Sequence, residues 1–428
     1  MQSAVRNLVQ ATLLLLIITV FAQTSFGYSV LTHQAIIDSL WEDSIEPLLV
    51  KRFPGASAEQ LREARAHAYG GAIIQDMGYY PFGSRLFTDL AHYVRSGDFI
   101  EALIAESRDL NEYAFALGAL AHYSADNIGH SIGTNRAVPL VYPELRARHG
   151  EVITYAEHSS SHIKVEFGFD VLQVARGRYA PEAYHDYIGF KVSKPVLDRA
   201  FFKTYSLKLK DIFGSMDLAV GSYRKAVSDI IPQMTRVAWE AKKDEIQKTT
   251  PEITREKFIY NLSRAEYEKE WGTEYKKPGF FSKVLASFIR VLPKVGPLKV
   301  FAFRVPTPEA EKLLMESFNA TLDRYREMLA QVRSGSLELQ NRDFDTGRPT
   351  RAGEYRLADE AYAKLLEKLE EQNFKNASPE LRQNILAFYS DLSAPIATKR
   401  DRDDWRELLR ALDRLKTASS QQAETDRE

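Results

Sequence analysis

His122, Asp126 and His130 stand at four-residue intervals in the segment AlaHisTyrSerAlaAspAsnIleGlyHis. On a helix a step of four residues turns only about 40°, so the three side chains form one stripe. The run leading into them, Phe115 to Ala121, is apolar nearly all round, which predicts a buried helix. Polar groups on such a helix are costly unless they are paired or coordinate a metal. A single helical histidine is most often a hydrogen-bonded core residue, but two in register around a carboxylate point to metal. His33, Asp76, His92 and the pair His162 and Glu166 extend the set, and the last two are again four apart. Imidazoles and carboxylates without thiolates suit zinc, and in particular a catalytic zinc with room for water. The candidate ligands outnumber what one ion needs, so a cluster is expected.

All nine histidines lie between His33 and His185, which places the metal chemistry in the first half of the 428-residue chain. Apolar residues recurring at three and four, from Thr32 and again from Asn111, predict an all-α architecture, with loops near Phe82 to Gly83, Val138 to Pro143 and Pro181. There is no cysteine, so neither disulfides nor thiolate zinc sites contribute. A net charge of −1 supplies no global attraction to nucleic acid or anionic lipid.

Residues 1–27 carry one Arg, an apolar run from Leu8 to Ala22 and then small residues, the pattern of a secretory signal peptide. The run is short of the roughly 20 residues that span a bilayer; an uncleaved anchor is the alternative. Cleavage after Ala22 or after Gly27 fits, and export to the periplasm or medium is the expectation. A break near Lys248 to Pro251 opens a highly charged stretch, 249–428, with expected helices at Pro308 to Val332, Ala352 to Gln372 and Asp401 to Leu415 and a polar tail. Within it, Lys276 to Arg304 mixes apolar residues with seven Lys or Arg and no acid, which suits an anionic membrane surface or, equally, a helical hairpin packed on the core.

The order His33, Asp76, His92, His122, Asp126, His130, His162, Glu166 resembles the zinc-dependent phospholipase C family and, more distantly, the fungal single-strand nucleases with three zinc ions. The resemblance covers about Tyr28 to Lys248. It implies an all-α domain with a trinuclear zinc site, followed here by a helical C-terminal extension. One zinc would be held by Asp76, His92, His122 and Asp126, a second by Tyr28, His33 and the bridging Asp126, and a third by His130, His162 and Glu166. In the family the mature N-terminal residue binds zinc through its own backbone, and Tyr28 precedes His33 by the five positions found in the nucleases, with Tyr in place of Trp. The step from Asp126 to His130 is shorter than in the bacterial phospholipases and is similar to that of glycosylphosphatidylinositol-specific phospholipase D. His158, four before His162, is an alternative ligand; His67, His149 and His185 match nothing in the pattern.

The resemblance implies phosphodiester hydrolysis by a zinc-activated water, with Asp76 and Asp126 as the catalytic carboxylates and Asp76 a candidate base. A phospholipid is the expected substrate and phospholipase C-type cleavage the leading reaction. Phospholipase D-type cleavage, a single-strand nuclease and an inactive zinc-stabilised membrane-binding scaffold are the alternatives. If the processed amine is a ligand, N-terminal sequencing of the exported protein should begin at Tyr28. One residue added before Tyr28 should then lower turnover at least about 10-fold, in a protein that circular dichroism shows to be folded.

Overall fold

The computed structural model describes residues 30–175, 191–225 and 303–425. Its helices in chain order are α1 (Val30–Leu40), α2 (Glu46–Arg52), α3 (Ala58–Gly71), α4 (Arg85–Tyr93), α5 (Ser96–Glu106), α6 (Leu110–Ile128), α7 (Asn135–Val141), α8 (Pro143–His149) and α9 (Tyr155–Ala175). They continue as α10 (Lys194–Tyr205), α11 (Leu209–Ile212), α12 (Met216–Lys225), α13 (Pro308–Ser334), α14 (Arg356–Glu371), α15 (Pro379–Phe388) and α16 (Arg402–Thr425). Among the described residues there is no strand, only an isolated bridge between Arg342 and Pro349, and the all-α expectation holds.

The helices begin where the chain supplies caps. Ser57 and Gln60 form a reciprocal capping box on α3. The Asp109 carboxylate accepts the Glu112 N–H at the start of α6, and the Ser84 hydroxyl accepts the Phe87 N–H at the start of α4. Thr307 caps α13, with Pro308 at its first position.

The central helix is α6, buried from Glu112 to Asn127. It crosses α3 at backbone contact, and two glycines permit this. A Cβ on Gly118 would lie 2.0 Å from the Ala68 carbonyl oxygen, and one on Gly71 would lie 1.9 Å from that of Phe115. The close approach brings the free carbonyls at the end of α3 within reach of α6 side chains, which the metal centre uses.

Two elements differ from expectation. Val138 to Pro143 was expected as loop, yet helix runs through Pro139 to Val141 and breaks only at Tyr142. Pro139 has no N–H to offer the Asn135 carbonyl, and that carbonyl instead accepts the Ile153 N–H at 2.9 Å. The stripe of His122, Asp126 and His130 is not one continuous α-helix either. α6 ends at Ile128 and Gly129–Thr134 forms a π-turn, a wider winding often found at functional sites, so His130 leaves the register of the other two.

α13 and α14 fall near their expected places, with α14 starting at Arg356 because Gly353 (φ +79°) and extended Tyr355 form the preceding turn, whereas α15 was not expected and α16 runs past Leu415 to Thr425, into the stretch expected as a polar tail. The described part of 249–428 packs into the same hydrophobic cluster as the first half, which runs from Val30 to Leu415. α13 lies along α6, where the Tyr325 hydroxyl donates to the Leu117 carbonyl at 2.8 Å and the Ser124 hydroxyl to that of Thr321 at 3.1 Å. No described helix is long and apolar enough to cross a membrane. Residues 1–27, Tyr28, Pro181, His185, the break at Lys248 to Pro251 and all of Lys276 to Arg304 except its last two residues lie outside the described residues.

Because the α3–α6 crossing has no room for a methyl group, Gly118→Ala should destabilise the protein by about 2–3 kcal/mol, read as a lowered midpoint in chemical denaturation. The same variant should bind zinc less tightly, since the crossing carries His122.

Candidate metal centre

Four helices and one 3₁₀ turn deliver the candidate ligands. α1 carries His33; the turn Ile74–Tyr79 carries Asp76; α4 carries His92 in its last turn; α6 presents His122 and Asp126 one turn apart; and α9 presents His162 and Glu166, again one turn apart. Every one of these side chains, and His130, is buried.

Asp76, His92, His122 and Asp126 form a group whose facing nitrogen and oxygen atoms lie within 4.8 Å of one another. The Asp126 carboxylate is its hub. One oxygen is 3.1 Å from His122 Nε2 and 3.3 Å from His92 Nε2, while the other is 3.5 Å from His33 Nε2. Asp76 meets His92 Nε2 at 3.3 Å, and the rings of His33 and His122 stack with centroids 4.4 Å apart. A second group lies alongside: Glu166 Oε1 is 3.6 Å from His130 Nε2 and 3.9 Å from His162 Nδ1.

The far ring nitrogens are tied down. His92 Nδ1 is 2.9 Å from the Thr88 carbonyl, His122 Nδ1 is 2.9 Å from that of Ala72, and His162 Nε2 is 2.6 Å from that of Ile153. His130 Nδ1 is 3.0 Å from Asp345 Oδ1. A carbonyl can only accept, so it fixes the proton on the near nitrogen and leaves the other with its lone pair aimed at the centre.

Those inward atoms fit a metal. His122 Nε2, Asp76 Oδ1, both oxygens of Asp126, His162 Nδ1 and both oxygens of Glu166 are buried and make no hydrogen bond within the protein. Leaving so many buried polar atoms unmatched is costly, and the donors are of the kinds zinc takes. The electrostatics agree. Burial pulls the His162 ring down to about 4, helped by the neighbouring His130. Burial also pulls His33 down to about 3, helped by His122. Glu166 is pushed well above the usual carboxylate range by burial, against the pull of His130. Burial opposes ionisation of Asp126 too, yet the surrounding His122 and His92 outweigh it and hold that carboxyl well below its ordinary value. His33 and His162 are thus held neutral beside the ionised Asp126, whereas His92 and His130 are raised to about 10 against the effect of burial, the first by Asp126 and Asp76 and the second by Asp345 and Asp126, so a divalent cation would displace their protons on binding.

The structure brings His33, Asp76, His92, His122 and Asp126 together, and sets His130, His162 and Glu166 beside them. Tyr28 lies outside the described residues. Asp170, also on α9, accepts the Leu31 N–H at 3.1 Å and the Thr32 hydroxyl at 2.5 Å, so the start of α1 is anchored to the helix that carries His162 and Glu166. His158 has non-helical backbone angles at a kink in α9, and its Nδ1 accepts the Ser161 N–H at 3.3 Å; His162, not His158, faces Glu166. His67 contacts none of the group. Reasoning from the sequence missed Asp345 and Phe344, whose ring centroid lies 5.1 Å from that of His92. Neither sits in a periodic segment, and both come from the stretch in which no metal chemistry was expected.

An all-helical protein whose buried centre aims imidazoles and carboxylates at one small volume is a zinc protein. Residues 32–214 match the family described as zinc dependent phospholipase C. That match covers less than half of the chain; it supports the resemblance to this family and, with the buried Asp and His cluster, a zinc-dependent phosphodiester hydrolase, all-α as the resemblance implied. No curated protein and no solved structure matches the chain.

Removal of zinc by a chelator should lower the thermal midpoint, and readdition of zinc should restore it. At a free zinc concentration one hundred times the dissociation constant a single site would contribute about 2.7 kcal/mol, measurable by calorimetry.

Proposed function

We propose that the protein is an exported phospholipase C that cleaves phospholipid at the bond between phosphate and glycerol. The observation that carries this reading is the hub position of Asp126, whose two oxygens face different imidazoles: His92 and His122 on one side, His33 on the other. A carboxylate so placed can hold two cations a few ångströms apart, the spacing that phosphodiester hydrolysis uses.

On this reading His92, His122, Asp76 and Asp126 hold one zinc. His33, Asp126 and the backbone of a processed Tyr28 hold a second, and His130, His162 and Glu166 hold a third. Zinc when bound supplies Lewis acidity, lowering the pKa of water and offsetting charge on phosphoryl oxygens. The chain's residues orient that chemistry. Asp76, at the edge of the first group, is placed to accept a proton from the attacking water, and Tyr79 and Tyr155 flank the two groups, their rings 6.2 Å from His92 and 6.0 Å from His162. Their apolar faces and hydroxyls suit a substrate with a fatty and a charged part. Anchoring of Leu31 and Thr32 by Asp170 supports a role for the neighbouring N-terminus, and with it export, because the amine of Tyr28 exists only after cleavage. The basic stretch Lys276 to Arg304 supports contact with an anionic membrane surface.

Purified mature protein incubated with phosphatidylcholine vesicles should release diacylglycerol, and a chelator should abolish the release. Phosphatidic acid as product would replace this reading with phospholipase D-type cleavage. Turnover of single-stranded DNA alone would make the protein a nuclease, and turnover of neither substrate at full zinc content would make it a scaffold. Asp126→Asn should lose two zinc ions together by elemental analysis; loss of one only would contradict the bridge.

A further inference from the structure

We infer that Asp345, far outside the matched segment, is the positioning residue of the His130 zinc site, and that the loop from Gln340 to Thr350 is built to hold it there. The inference rests on the proposed third zinc at His130, His162 and Glu166.

Asp345 is buried, and both its oxygens are engaged. Oδ1 lies 3.0 Å from His130 Nδ1. Oδ2 accepts the Tyr93 hydroxyl at 2.8 Å and also the Tyr355 hydroxyl. Its backbone carbonyl accepts the Asn135 amide at 2.7 Å. With its oxygens occupied in this way it is suited to orient a ligand rather than to be one. A carboxylate that can only accept puts the ring proton on His130 Nδ1, which turns Nε2 toward Glu166.

The loop is pinned on both sides of this contact. The Tyr123 hydroxyl donates to the Gln340 carbonyl at 2.8 Å, and Asn341 Oδ1 accepts the N–H groups of Gly97 and Asp98 at the start of α5. The Phe344 N–H donates to the His92 carbonyl at 3.2 Å. Within the loop, Asp343 accepts the Thr346 N–H at 2.7 Å. The same loop thus touches both metal groups, through Phe344 at His92 and through Asp345 at His130.

The test compares wild type, Asp345→Asn and Tyr93→Phe by elemental analysis during dialysis against increasing chelator. The wild type should hold three zinc ions. Asp345→Asn should lose one, or bind it about 10–100-fold more weakly, and keep the other two. Tyr93→Phe, which removes a hydrogen bond to Oδ2 only, should match the wild type in zinc binding even where its melting temperature falls. Three ions and an unchanged chelator curve in Asp345→Asn would overturn the inference; fewer than three in the wild type would overturn the third-site reading beneath it. A measurement on the zinc-loaded wild type needs no folded variant: nitrogen NMR of the histidine rings should show His130 protonated at Nδ1, and a proton at Nε2 instead would overturn the assignment.

Discussion

The structure depends on keeping an ionised carboxylate, Asp126, in the interior of a helical protein. A buried anion is tolerated only when opposite charge or strong hydrogen-bond donors surround it. Here His33, His92 and His122 reach it from three helices, so its burial ties α1, α4 and α6 to one point. The same burial creates the reason for metal. Burial pushes Glu166 toward its protonated form, and divalent cations would supply the positive charge that lets it sit as a carboxylate beside the ionised Asp126.

The packing around the centre serves this requirement. The α3–α6 crossing is close because glycines replace side chains on both helices, and its product is the Ala72 carbonyl beside His122. The proline in α7 has an analogous consequence. It frees the Asn135 carbonyl for the Ile153 N–H, and the Ile153 carbonyl then orients His162. In both places an irregularity of the backbone supplies the acceptor that fixes a ligand tautomer.

The described part of the second half of the chain belongs to the same core and reaches the metal centre. α13 packs along α6, and the loop after it brings Phe344 and Asp345 against His92 and His130. The family match ends at residue 214, so these contacts are features of this chain beyond the matched segment. They give its C-terminal part a share in shaping the site.

Much of the centre was legible from residue types and spacing. The pairs His122 with Asp126 and His162 with Glu166 lie one helical turn apart, and local periodicity makes each pair share a face whatever the rest of the chain does. The helical class and helices α13 and α14 follow from the same periodicity, and the absence of cysteine left imidazole and carboxylate as ligands. Other features were decided only by tertiary structure. The π-turn at Gly129 arises in a segment whose apolar pattern reads as continuous α-helix. The kink that turns the backbone at His158 out of the helical conformation has no periodic signature. Asp345 pairs with a histidine distant in sequence, across a loop without regular structure. Spacing along a helix is a local property that a sequence carries by itself, whereas the partner of a buried charge is set by which surfaces the whole chain packs together.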